Sequence, residues 1–130
     1  MTDDIRIPED SVGVVRTERV RIDLPPEGLV LEEGGVLPEL HVAYETYGVL
    51  APAADNVVYI CHALTGDSHV AGYHDAPNEK PGWWDAMIGP GKGIDTNRFF
   101  VVCANILGGC MGTTGPGSID PRTNRPYGST

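Results

Sequence analysis

The run Val57-Val58-Tyr59-Ile60-Cys61 leads directly into His62-Ala63-Leu64-Thr65-Gly66, so a continuous apolar stretch stops in a small, polar turn ending in glycine. Unbroken β-branched and aromatic residues suit a strand buried on both faces of a parallel sheet, and such strands present ligands at their C-terminal ends. The segment from His62 to Gly66 is therefore the first place to look for chemistry. A second run, Phe99-Phe100-Val101-Val102-Cys103-Ala104, repeats the pattern and empties into a glycine-rich loop from Leu107 to Gly117. Two runs of this kind predict an α/β protein with parallel strands.

Upstream, Arg19 to Leu24 alternates polar and apolar residues, as a half-buried strand should, before Pro25-Pro26 ends it. In the next segment Leu40, Val42, Tyr44 and Thr46 share one face, and His41, Ala43, Glu45 and Tyr47 the other. An antiparallel pair leading into the sheet is the expected arrangement. Gly48 to Asn56 reads as a turn and linker, and Asp67 to Lys80 as a long polar loop. In Pro81 to Ile88, Trp84, Met87 and Ile88 are spaced to share one face of a two-turn helix. Residues 1–11, polar and acidic with a proline, form a loosely held arm.

A chain of 130 residues is one domain's worth of material. Only four or five strand candidates and one short helix are found in it, which leaves a parallel sheet poorly covered, so the fold looks incomplete. The net charge of −9 and a pI near 4.6 argue against nucleic acid or an anionic membrane as partner, because the nine basic residues are scattered singly. No apolar stretch reaches the length of a membrane span, and the acidic Met1-Thr2-Asp3-Asp4 is unlike a secretory signal, so a cytoplasmic location is expected. Three cysteines, two of them in strand candidates, suit buried reduced thiols better than a disulfide framework.

Three constellations could carry chemistry. Gly108-Gly109-Cys110-Met111-Gly112 has the spacing of a nucleophile elbow with cysteine in place of serine. Thr113-Thr114-Gly115-Pro116-Gly117-Ser118 follows, with two glycines and a proline where an elbow needs the first turns of a helix. A tight loop with a packed thiol is the preferred reading. Cys61, His62, Asp67, His69, His74 and Asp75 are metal ligands by type, but their spacings are irregular; solvated loop histidines and no metal are expected. The third constellation is the turn after Cys61, where a backbone N–H could donate to a developing oxyanion. Many α/β sheets carry such a turn, so spacing alone leaves this open.

Several separate strings decide further. Ala43-Tyr44-Glu45-Thr46-Tyr47-Gly48, then His62-Ala63-Leu64-Thr65-Gly66-Asp67-Ser68-His69-Val70-Ala71-Gly72, Pro81-Gly82-Trp83-Trp84-Asp85 with Gly89-Pro90-Gly91-Lys92, and Asn105-Ile106-Leu107-Gly108-Gly109-Cys110 with Gly115-Pro116 closely resemble homoserine O-acetyltransferases. The resemblance runs from about Leu37 to Gly128 with the motifs in the family's order. It implies the N-terminal portion of an α/β-hydrolase fold, antiparallel strands leading into a mostly parallel sheet, occupying residues 1–130 and incomplete. It also implies acetyl transfer from acetyl-CoA to L-homoserine by a ping-pong route through an acyl-serine, in methionine biosynthesis, by an enzyme that is a homodimer when complete. Some close relatives use succinyl-CoA or act on serine instead.

The family's G-G-S-M-G-G elbow, its lid and its catalytic Asp and His have no counterpart in these residues, so the chain alone is expected to be inactive. One catalytic element carries over, the oxyanion-hole N–H, placed at Leu64 with Ala63 and Thr65 beside it and Gly66 permitting the turn. The resemblance also makes Asn105 and Gly109 candidates for shaping the substrate pocket, against packing of the strand end as the alternative. Acetyl-CoA would be a co-substrate, with no bound cofactor. The runner-up is a non-catalytic polypeptide or half-enzyme, and last a hydrolase that depends on Cys110.

Overall fold

The computed structural model describes residues 6–74 and 80–129. Its strands are β1 (Glu18–Ile22), β2 (Leu29–Val30), β3 (Val36–Leu37), β4 (Leu40–Tyr47), β5 (Val57–Ile60), β6 (Ile88–Gly89), β7 (Ile94–Asp95), β8 (Phe100–Ala104), β9 (Ile119–Asp120) and β10 (Arg125–Pro126). The principal sheet has the order β1-β4-β8-β5. Two compact units divide the described residues, 6–17 with 44–104 and 18–43 with 105–129, and β4 runs from the second into the first. No helix among the described residues is long and apolar enough to cross a membrane.

In the first unit β8 pairs in parallel with β5, Val57 opposite Phe100 and Ile60 opposite Cys103, as the two apolar runs predicted. On its other side β8 pairs antiparallel with β4, Tyr44 opposite Ala104 and Tyr47 opposite Val101. A crossover of about forty residues between β5 and β8 makes the parallel register possible. The buried core is Tyr47, Ile60, Val70, Ala71, Ile88, Val101 and Cys103, with Val12, Val15, Val58, Ile94 and Phe99 packed against it. Gly48 turns the chain out of β4 with φ +87°, and a Cβ there would run into the Phe99 carbonyl, so glycine is required at this corner.

Three expectations are corrected here. β5 is half-exposed rather than buried on both faces, with Val57 47% and Tyr59 58% exposed, because it is the outer strand of the sheet and nothing described covers one face. All five residues of β1 are exposed, Val20 and Ile22 included, for the same lack of a covering layer. Residues 83–87 are turns and not a helix. Their amides are drawn elsewhere: Trp83 N–H donates to His69 O (3.1 Å) and Trp84 N–H to Val70 O (2.7 Å), while Asp85 and Met87 N–H close four-residue turns on Gly82 O and Trp84 O. With Trp83, Trp84, Asp85 and Met87 N–H committed in this way, a helical i to i−4 ladder does not form.

In the second unit β2 and β3 form a hairpin, as do β9 and β10, the latter turning through Asn124 at φ +57°. Thr113 and Thr114 stand in for a strand beside the first half of β4. Ala43 N–H donates to Thr113 Oγ1 (2.9 Å), whose hydroxyl donates to Asn105 O (2.8 Å). His41 N–H donates to Thr114 Oγ1 (2.9 Å), and Thr114 N–H returns to His41 O (2.9 Å). Threonine hydroxyls thereby satisfy the His41 and Ala43 amides beyond the end of the β4–β8 ladder, which stops at Tyr44.

Candidate functional site

The chain leaves β5 through Cys61 and His62 and closes a turn in which Gly66 N–H donates to Ala63 O at 2.8 Å. Leu64 and Thr65 are its central residues, and neither has positive φ, which makes the turn type I. Leu64 is 94% exposed, and its N–H has no hydrogen-bond partner among the described residues. The His62 ring leans on Ala63 O through Nδ1 at 2.7 Å. Beyond the turn Asp67 pins the chain: its Oδ1 accepts from His69 N–H (2.9 Å) and its carbonyl from Trp83 Nε1–H (3.0 Å). The turn is therefore held at both ends, with the amide of Leu64 claimed by no acceptor among the described residues.

His69 and His74 are not solvated loop histidines. Both close on Glu45, a fully buried carboxylate on the inward face of β4: His69 Nδ1 lies 2.9 Å from Oε1 and His74 Nε2 lies 2.8 Å from Oε2. Tyr47 OH donates to Oε1 (2.9 Å) and Thr17 Oγ1–H to Oε2 (2.8 Å), so each carboxylate oxygen has two partners. The imidazole rings stack with centroids 3.7 Å apart and planes 31° apart. Burial alone would raise the Glu45 pKa, but hydrogen bonds from His69, His74 and Thr17, with the charge of His69, outweigh it and hold the carboxyl below its ordinary range. Tyr47 is pushed upward by burial and by the Glu45 charge. Its oxygen also accepts from Val70 N–H (3.0 Å) and Ala71 N–H (3.3 Å), tying the cluster to the loop that follows the turn.

Sequence reasoning missed this cluster. The signal for it is a carboxylate at the centre of the Ala43, Glu45, Tyr47 face, which demands partners if that face turns inward. The partners come from Thr17, His69 and His74, remote along the chain. Asp75, another ligand by type, lies outside the described residues. Cys61 is exposed, which corrects the expectation that both strand thiols are buried; Cys103 is buried, and burial, then the charges of Asp67, Cys61 and Glu45, push its thiol up to about 11.

In the second unit Asn105 is buried beside Gly109, whose ideal Cβ would sit 2.8 Å from Asn105 Oδ1. That oxygen has no hydrogen-bond partner among the described residues. The Asn105 backbone is engaged with Ala43 and Thr113, so this residue has a packing role at the strand end whatever its side chain does. Cys110 is exposed and no helix follows it, so the loop lacks the geometry of a nucleophile elbow. The same unit holds an apolar cavity of about 240 Å³ among Leu31, Leu37, Leu107, Pro116 and Tyr127, with the Tyr127 hydroxyl buried and without a hydrogen-bond partner among the described residues.

No protein-family model matches the sequence. The chain is 59% identical over 117 residues to a homoserine O-succinyltransferase of Nocardioides sp., covering 90% of this chain and 31% of that protein. It is 53% identical over 120 residues to a homoserine O-acetyltransferase of Deferribacter desulfuricans, covering 92% and 31%. Among solved structures it superposes on a homoserine O-acetyltransferase from Bacillus anthracis with TM-score 0.76 at 39% identity, covering 88% of this chain and 31% of that one. A crystallised esterase matches equally, TM-score 0.76 at 36% identity over 88% and 32%.

Proposed function

We propose that this chain, homologous over nine-tenths of its length to homoserine O-acyltransferases and a partial α/β-hydrolase fold spanning 31% of their length, contributes the oxyanion loop of an acyl-CoA to homoserine acyl transfer. The observation that carries the reading is the uncommitted N–H of Leu64 in a type I turn at the C-terminal end of a parallel strand. Negative charge gathers on the thioester carbonyl oxygen when a nucleophile attacks it, and a fixed amide donor stabilises that charge. Ala63 and Thr65 border the donor, and Gly66 closes the turn on Ala63 O. The acyl-carrying serine with its Asp and His belongs to segments outside this chain. Acetyl-CoA is the proposed donor, with succinyl-CoA as the alternative, since relatives named for either acyl group are comparably similar. Asn105 and Gly109 are proposed to shape the acceptor pocket, Asn105 through its unpaired Oδ1.

The test is made in a full-length relative that carries the same loop. Proline suits the first central position of a type I turn, so Leu64→Pro keeps the Ala63 to Gly66 turn and removes only the N–H. Loss of one oxyanion donor lowers kcat about a hundred- to a thousandfold. Leu64→Met, which retains the amide, stays near the parent rate. Equal turnover of the two folded variants would move the oxyanion role away from Leu64.

A further inference from the structure

We propose that Glu45, His69 and His74 form a binding site for one divalent transition-metal ion of the zinc kind, a role independent of acyl transfer. The three ligand atoms lie within 4.8 Å of one another, one from a carboxylate and two from imidazoles. Two histidines and one glutamate are a nitrogen–oxygen donor set that suits zinc and neighbouring transition ions, where magnesium and calcium would call for oxygens alone. Tetrahedral bonds of about 2.0–2.1 Å place ligand atoms about 3.3 Å apart. The present His69 Nδ1 to Oε1 and His74 Nε2 to Oε2 separations, 2.9 and 2.8 Å, are hydrogen-bond distances to the two different carboxylate oxygens, so the ion takes the place of these bonds as the rings move out to ligand spacing.

The surroundings are those of a built site. Thr17 and Tyr47 hydroxyls each hold one carboxylate oxygen in place, and Thr17 Oγ1 also lies 3.4 Å from His74 Nε2. The tilted ring contact at 3.7 Å keeps both imidazoles side by side against the one carboxylate. Glu45 is sealed from solvent, while the His74 side chain is 36% exposed, which gives an entry path and a water for the fourth position. Binding replaces the two hydrogen bonds to Glu45: the nitrogen of each ring that faces the carboxylate gives up its proton and offers that lone pair, and the neutral ring keeps its proton on the other nitrogen.

The experiment uses the 130-residue chain with Cys61→Ser and Cys110→Ser, since both thiols are exposed and thiolates are metal ligands themselves. After removal of metal by a chelator, Zn²⁺ is titrated calorimetrically and thermal melting is followed with and without it. One equivalent binds and raises the melting temperature. His74→Gln and His69→Gln each weaken uptake at least about tenfold and abolish the melting shift, whereas His41→Gln, beside Glu39, changes neither. Should His69→Gln fail to fold, His74→Gln decides, because its partly exposed ring opens onto solvent rather than core. Absence of saturable uptake, or uptake unchanged in His74→Gln, overturns the site and leaves the cluster a hydrogen-bonded staple.

Discussion

Cys103, Cys61 and Cys110 differ in burial far more than in chemistry, and that difference is directly readable. Cys103 has no exposed surface and its thiol is held up to about 11, so at mildly alkaline pH it is neither accessible nor ionised. An aromatic disulfide reagent should titrate two thiols rapidly in the native chain and a third only after denaturant is added; three fast thiols would mean that β8 is not buried. Asp120 offers a second residue-scale test. The Arg122 guanidinium forks onto its two oxygens at 3.0 Å, and this bonding holds the carboxyl below its ordinary range. A depressed pKa contributes stability above the unfolded value of about 3.9, and that contribution is lost as pH falls through the folded value. Arg122→Gln should shift the Asp120 carboxyl midpoint, followed by NMR, back toward the ordinary range. An unmoved midpoint would show that the backbone turn, not Arg122, lowers it.

At the scale of elements, the packing of residues 82–84 against 69–72 decides whether the turn after β5 has a rigid support. Gly82 N–H donates to Gly72 O (2.9 Å), and a Cβ on Gly82 would run into the Val70 and Ala71 backbone. Gly82→Ala should therefore cost about 1–3 kcal/mol in chemical denaturation, as overpacking does, while Gly117→Ala, facing open space, stays within about 0.5 kcal/mol. Comparable losses at the two positions would deny the close approach. The parallel pairing of β5 with β8 was legible because two apolar β-branched runs admit little else. So was the alternation of β4, although the pattern did not say that the face carrying Glu45 turns inward. The helix expected at 81–88 failed because three apolar residues at helical spacing describe a face and say nothing of amides already claimed by a neighbouring loop. The Leu64 turn could be located from the end of an apolar run, whereas the Glu45 cluster depends on long-range closure that no local pattern encodes.

For the whole molecule, the question is what a sheet does without its covering layers. Val20 and Ile22 on β1, Val57 and Tyr59 on β5, and Trp83, Trp84 and Met87 are all more than a third exposed. No α-helix occurs among the described residues to cover them. Apolar surface of this extent favours association, so the chain in solution should sediment as oligomers and bind an apolar dye. A strictly monomeric species that melts cooperatively and leaves the dye unbound would show that these residues complete a core by themselves. Catalysis follows the same logic. An oxyanion donor lowers the barrier only for an attack that some nucleophile makes, and in a serine hydrolase with a complete triad, loss of the serine alone lowers kcat about a millionfold. The isolated chain mixed with acetyl-CoA and L-homoserine should release CoA thiol no faster than a blank lacking protein. Turnover above that blank which disappears in Cys110→Ser would make the exposed thiol of the glycine-rich loop the nucleophile, and would displace the serine-dependent route from this chain.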